Sequence, residues 1–258
     1  MVTAIVKGLL AKNVFEANEM TCVSAPDGTS EKLSQATGIH RVDNLQELLA
    51  LQPNRLLLGC KPHQLEDLDS DALAQITDYL VLSIMAGKTL DSLMEKFSNA
   101  RNVVRSMPNT PGQIGAGVTG YLFAQTPTER DREEVERILS ALGKVVAVKE
   151  EKDIDRVTAI SGSGPAYLFE FACALEEAGT SIGFDKELAR ELAIETILGA
   201  GRLMARSEHD PETLRNHVTS PNGTTQAALE TFAAANFRDL VQNAVTAARD
   251  RSVELAQA

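Results

Sequence analysis

Residues 55–85, RLLLGCKPHQLEDLDSDALAQITDYLVLSIM, decide the fold class. Two short, nearly all-apolar runs, Arg55 to Cys60 and Val81 to Met85, are bounded by turn residues, as parallel strands covered on both faces are. Between them Leu73, Ile76 and Leu80 recur at helical spacing, so the stretch reads strand, helix, strand: a βαβ unit. Toward the N-terminus, Val2, Ile5, Val6 and Leu9 mark a helix and Met20 to Ser24 a strand. Toward the C-terminus, Val118 to Phe123 and Gly143 to Val148 are strand-like. The spacing therefore predicts a doubly wound, mainly parallel α/β sheet over residues 1–150.

From 151 to 258 a second, all-helical domain is expected, because only helical periodicity continues from Pro165 onward. Gly164 and Pro165 open a helix striped by Leu168, Phe171, Leu175 and Ala178, with Gly179 placed to end it. Asp185 and Asp210, the latter followed by Pro211, read as N-caps. Leu192 to Ala205 is apolar or small almost all round, which predicts a helix buried between subunits. Phe237, Leu240, Val241, Ala244, Val245 and Ala248 form the last amphipathic stripe.

A formal net charge of −11 leaves no basic surface for a phosphate backbone, so a nucleic-acid partner is not expected. No run of about 18 apolar residues offers a membrane span, and the first ten residues carry no signal-peptide pattern. Cys22, Cys60 and Cys173 read as buried, reduced thiols of a cytoplasmic protein.

Several loops carry candidate chemistry. Arg105 to Gly112 (RSMPNTPG) is a stiff turn after a strand, and Lys61 and Pro62 follow another strand; in a doubly wound sheet both belong at the carboxyl edge, where ligands bind. Gly115 to Gly120 (GAGVTG) matches the dinucleotide fingerprint in letters only, since it follows a proline-rich loop and enters a strand; it reads as a glycine turn. Ser161 to Pro165 (SGSGP) predicts a flexible helix start at the domain junction. Val218 to Thr225 (VTSPNGTT) opens a helix, and its free N–H groups with the hydroxyls of Ser220, Thr224 and Thr225 form a site for a small carboxylate. Plain capping by Thr224 or Thr225 is the simpler use of that segment. His63 and His217 have no second ligand at metal spacing, so no metal is expected.

CKP at 60–62, SIMAG at 83–87, MPNTP at 107–111, GAGVTG, ALGKV at 141–145, SGSGPAY at 161–167 and VTSPNGTT occur in an order that resembles the pyrroline-5-carboxylate reductases. The resemblance spans nearly the whole chain. It implies a Rossmann-type domain at 1–150, a helical dimerisation and substrate domain at 151–258, a homodimer that can assemble into a ring of dimers, and NADPH or NADH as cofactor. The implied reaction is reduction of 1-pyrroline-5-carboxylate to L-proline, the last step of proline biosynthesis. It places Ser24, Lys61 and Pro62 along the cofactor and Pro108 and Asn109 near the nicotinamide. It also places Ser220, Asn222, Gly223, Thr224 and Thr225 around the substrate carboxylate, with the Thr225 hydroxyl as the catalytic group facing the ring nitrogen.

Three positions depart from the family pattern. The opening strand and G-x-G-N-M loop do not precede Met1, so this sequence is expected to bind dinucleotide weakly as it stands. Ser24-Ala25-Pro26-Asp27 lacks the arginine that commonly holds a 2′-phosphate, and Asn222 replaces a glycine, mildly, since asparagine tolerates positive φ. Two other readings are a catalytically silent paralogue that dimerises and binds proline-like acids, and another reductase of the β-hydroxyacid-dehydrogenase type. The second normally uses a lysine in its interdomain helix, and SGSGPAYLFEF has none.

Overall fold

A computed structural model describes the chain from Met1 to Gln257, apart from Gln75 and Ile76. It divides into two compact units, one of residues 1–163 with 248–258 and one of residues 164–247. The expected domain division at 150/151 lies 13 residues earlier than this one.

In the first unit α1 (Val2–Ala11) precedes β1 (Thr21–Cys22), α2 (Thr29–Thr37), β2 (His40–Arg41), α3 (Leu45–Ala50) and β3 (Arg55–Leu58). Then come α4 (Ser70–Leu73), β4 (Leu80–Ser83), α5 (Leu90–Lys96), β5 (Asn102–Met107), β6 (Gly117–Phe123), α6 (Glu129–Leu139), β7 (Gly143–Ala147) and α7 (Glu151–Val157). Strands β3 to β7 form one sheet in sequence order, parallel except for the antiparallel β5–β6 pair, while β1 and β2 pair in parallel as a ribbon of their own. The sheet is thus mixed at its far side, where the short loop between β5 and β6 permits a reversal that a helical crossover would not.

Period-two alternation sorts the strand side chains into two cores. Leu56, Leu58, Val81 and Val103 face α3, α4 and α5, packing on Leu49, Leu73, Leu93 and Phe97. Leu80, Leu82 and Val104 face the other way, onto Ile5 and Leu9 of α1 and Val135, Ile138 and Leu139 of α6. Helices on both faces are what make continuous apolar runs stable in a parallel sheet.

The helical stripe expected between β3 and β4 needs correction. Leu73 lies in α4, but Leu80 is the first residue of β4, in register with Arg55 and Asn102; Ile76 lies outside the described residues. Ladder hydrogen bonds on both sides of Leu80 outweigh a local helical pattern.

The second unit consists of α8 (Gly164–Ser181), α9 (Lys186–Arg206), α10 (Pro211–His217), α11 (Thr224–Ala234) and the body of α12 (Phe237–Gln257), whose last turns from Ala248 belong to the first unit. Asp185 accepts from the Leu188 N–H at 2.9 Å and Asp210 from the Thr213 N–H at 2.8 Å, as N-caps do. Gly179 does not end α8; it lets α9 approach, since a Cβ there would lie 3.0 Å from that of Ala189, and the chain turns instead at Gly183, φ +112°. Ser161–Pro165 does lead into α8 at the boundary of the two units, and the residues just before it, Thr158–Gly162, form a π-helical turn continuing from α7. Ala189 and Ala193 of α9 are buried, whereas Leu192, Ile194, Leu198, Leu203 and Met204 each remain at least 40% exposed within one chain.

Candidate active site

Strands β3, β4 and β5 run parallel, so their carboxyl ends share one edge of the first unit. There β3 runs into Gly59, over which the first turn of α1 closes so tightly that a Cβ would sit 2.0 Å from Val2 Cγ2. Val2 also packs in the cluster that holds Cys22 of β1, so the start of α1 closes over the end of β3 and shares a core with β1. No side chain caps α1. Its leading N–H groups open at that edge without a side-chain partner. Lys61 is exposed next to it, held as the N-cap of the turn Pro62–Leu65 by its N–H donating to Gln64 Oε1 at 2.9 Å. Cys60 lies against Met85, and burial pushes its thiol up, away from nucleophilic use.

Ser24, just past β1, is held inside its loop. Its hydroxyl donates to Ala25 O at 2.8 Å and meets Ser30 Oγ at 2.9 Å. Asp27 caps the following turn, and the Thr29 hydroxyl and N–H hold its carboxyl below the usual range. Arg41, which reaches Ser30 Oγ, is already paired with Glu31 and Asp43, both at 2.6 Å.

At the end of β5, Pro108 and Asn109 are buried. Asn109 Oδ1 accepts from the Val118 N–H at 2.8 Å, and its Nδ2 donates to Ser161 O at 3.0 Å. The GAGVTG segment is the glycine turn expected. Gly115 takes φ +71°, and Gly117 backs onto Gly112, whose Cα and N would lie 2.7 Å from an added Cβ. Gly120 sits under Val157, where an added Cβ would lie 2.8 Å from Cγ1, so the motif is spent on packing.

The second unit carries the other loop. After α10, the Thr219 hydroxyl donates back to Arg215 O at 2.7 Å, and the Gly223 N–H donates to Ser220 O at 3.0 Å. Asn222 takes φ +59°, which explains an asparagine in a glycine's place. The Ser220 hydroxyl closes over Gly223, where a Cβ would lie 2.5 Å from Oγ. Gly223, not a threonine, is the N-cap of α11, and it makes no side-chain cap. Thr224 and Thr225 are the first two helical residues, so capping by either hydroxyl is excluded and the leading N–H groups remain for an anion. Sequence reasoning missed Gln226, whose Oε1 accepts from the Asn222 N–H at 2.8 Å and braces the loop. A glutamine at the third helical position was the available signal. Of the two histidines, His63 is exposed and the ring of His217 packs edge-on against His209.

Residues 151–255 match the family model "Pyrroline-5-carboxylate reductase dimerisation". The chain is 36% identical to the pyrroline-5-carboxylate reductase of Pseudomonas aeruginosa over all of its own length and 94% of the relative's. It superposes on the Coxiella burnetii pyrroline-5-carboxylate reductase with a TM-score of 0.91 at 34% identity, covering 99% of this chain and 94% of that one. It also superposes on the NADP-bound Plasmodium falciparum pyrroline carboxylate reductase with a TM-score of 0.81 at 26% identity, covering 98% and 95%. The same similarity runs through both units and both loops: this chain belongs to the pyrroline-5-carboxylate reductase family.

Proposed function

We propose that the chain reduces 1-pyrroline-5-carboxylate to L-proline with NADPH or NADH, as the last step of proline biosynthesis. The observation that carries this reading is full-length identity above 30% to reductases of that name, together with a loop at 219–225 built for a small carboxylate. The silent-paralogue alternative has no specific support. The nicotinamide, when bound, supplies the hydride.

Around it this chain's own groups bind and orient. The N–H groups of Thr224 and Thr225 at the start of α11 take the substrate carboxylate, with Ser220, Asn222 and Gly223 shaping the loop. The Thr225 hydroxyl faces the ring nitrogen, where it holds the proton that the reduced nitrogen needs. Lys61, Pro62 and Ser24 line the dinucleotide at the strand edge, and the segment of Pro108 and Asn109 lies near its nicotinamide end. An imine and a hydride donor need only be held face to face, so positioning does most of the work.

We further propose that residues 1–150 act as the dinucleotide-binding domain and 151–258 as the dimerisation and substrate domain. A homodimer, extended to a ring of dimers, would cover the exposed apolar side of α9, and the working compartment would be the cytoplasm. Among the described residues no helix is long and apolar enough to cross a membrane. The test is loss of reduced-nicotinamide absorbance on adding pyrroline-5-carboxylate to the purified protein. Proline appearing in step with the oxidised dinucleotide is the expected result, and no turnover with either NADPH or NADH would reject the reading.

A further inference from the structure

We infer that Asn109 is a positioning residue, whose amide ties the π-helical turn Thr158–Gly162 to the loop that ends β5 rather than contacting a ligand. Its two ends are committed. Oδ1 accepts from the Val118 N–H, which only an oxygen can do, so the amide's orientation is fixed and Nδ2 points at Ser161 O, 3.0 Å away. The side chain has no room to swing out, because Asn109 is buried and a Cβ on Gly117 would already press on Oδ1 at 2.9 Å.

Ser161 O has a particular need of that donor. In an α-helical register its partner would be the N–H of residue 165, and residue 165 is proline, which has none. The turn around it is widened, with the Ser163 N–H bonded to Thr158 O, five residues back. Hydroxyls loosen it further: Thr158 Oγ1 donates to Ile154 O at 2.8 Å and Ser161 Oγ to Val157 O at 3.1 Å. Gly162 meets the Met107 methyl, where a Cβ would lie 2.9 Å away, so the turn rests directly on the end of β5. A proline that removes a donor and an asparagine 56 positions earlier that replaces it form one device (165 − 109 = 56). Its effect is to hold Met107 and Pro108 still at the strand edge. Single π-turns of this kind are frequent at functional sites.

The consequence for catalysis rests on the functional reading above; the consequence for the turn does not. Asn109→Asp keeps an acceptor for Val118 but sets a carboxylate oxygen against Ser161 O. By amide hydrogen exchange on the whole protein, residues 158–163 should exchange about tenfold faster while Val118 stays protected, the size expected for losing one hydrogen bond. Where the parent turns over, kcat should fall about tenfold with less than about a threefold change in dinucleotide Kd, as for a group that orients without binding. Unchanged exchange at 158–163 would overturn the inference, and so would a rise in Kd matching the fall in kcat, the mark of direct contact. Should Asn109→Asp not fold, Asn109→Ser, too short to span both partners, should expose both Val118 and 158–163. If that variant also fails to fold, the amide supports the whole unit and the inference is wrong. An inactive parent would reject the functional reading while the exchange result still judges Asn109.

Discussion

Replacing Arg105 by methionine should cost far more stability than the loss of any surface ion pair. The Arg105 side chain on β5 is 3% exposed, its Nη1 lying 2.8 Å from Glu151 and its Nη2 3.3 Å from Asp155, both on α7. Asp155 also accepts from the Ser252 hydroxyl at 2.9 Å, and Glu151 from the Leu90 N–H at 2.7 Å. One guanidinium therefore gathers β5, the start of α5, α7 and the end of α12. Methionine keeps much of the volume but strands Asp155, whose side chain is 11% exposed; removing one partner of a buried pair typically costs about 3–5 kcal/mol. Glu151, a third exposed, relaxes toward water and adds less. The internal control is Arg251→Met, since Arg251 and Glu254 are 66% and 62% exposed and such pairs contribute only about 0.3–0.5 kcal/mol. The assay is urea unfolding followed by circular dichroism at one fixed protein concentration, because the stability of a dimer depends on it. Adding Asp155→Asn to Arg105→Met should restore part of the loss by removing the stranded charge while keeping an acceptor for Ser252. The reasoning fails if Arg105→Met lies within about 1 kcal/mol of Arg251→Met, or if the double variant is no more stable than Arg105→Met alone.

Thr225→Ala should lower turnover on the order of 10²-fold with little change in melting temperature, because neither threonine hydroxyl caps α11; equal activity would remove Thr225 from the mechanism. Tyr121 donates to Glu136 Oε1 at 2.5 Å, and burial, then that bond, pushes its phenol up to about 12 from 10.0. A raised folded value means the contribution is complete below about pH 10 and lost as pH rises through about 12, so stability should fall across that window and the fall should be absent from Tyr121→Phe. A parent and a Tyr121→Phe variant with parallel pH curves would contradict this. Sedimentation should give a dimer at micromolar concentration, given the exposed leucines of α9; a folded monomer there would count against the covered interface.

How much of this was legible depended on whether a feature is local. The runs at 55–60 and 81–85 are covered on both faces, and such burial writes itself into consecutive letters, so the strands and the α/β class could be read directly. Asp185 and Asp210 were legible for the same reason, since a cap bonds three residues away. Leu80 misled because its spacing of seven from Leu73 fits a helical stripe as well as a strand, and only pairing with Arg55 and Asn102, distant in sequence, decides between them. The Arg105 cluster gave no signal at all: its members lie up to 147 positions apart (252 − 105 = 147) and each is an ordinary surface residue type.

The loop motifs stand between these cases, and they show what a motif in this chain is made of. GAGVTG has the letters of a phosphate cradle, yet each of its glycines is explained by a turn or a close contact, with Gly112, Val157 or the strand β7 at Gly143. MPNTP and SGSGP looked like two independent loops, one rigid and one flexible. Once folded they are a single object, because Pro165 leaves Ser161 O without a donor and Asn109 provides one. A proline and an asparagine in separate loops thus determine each other, and neither the helix propensity of one segment nor the turn chemistry of the other contains that fact. VTSPNGTT divides in the same way. Asn222 at positive φ and Gly223 under the Ser220 hydroxyl set the backbone, which leaves Thr225 with a hydroxyl the fold does not spend on capping. A hydroxyl that the fold does not consume is a structural reason to test it for chemistry; Thr224 and Thr225 share that property, and it is the family resemblance that selects Thr225 between them.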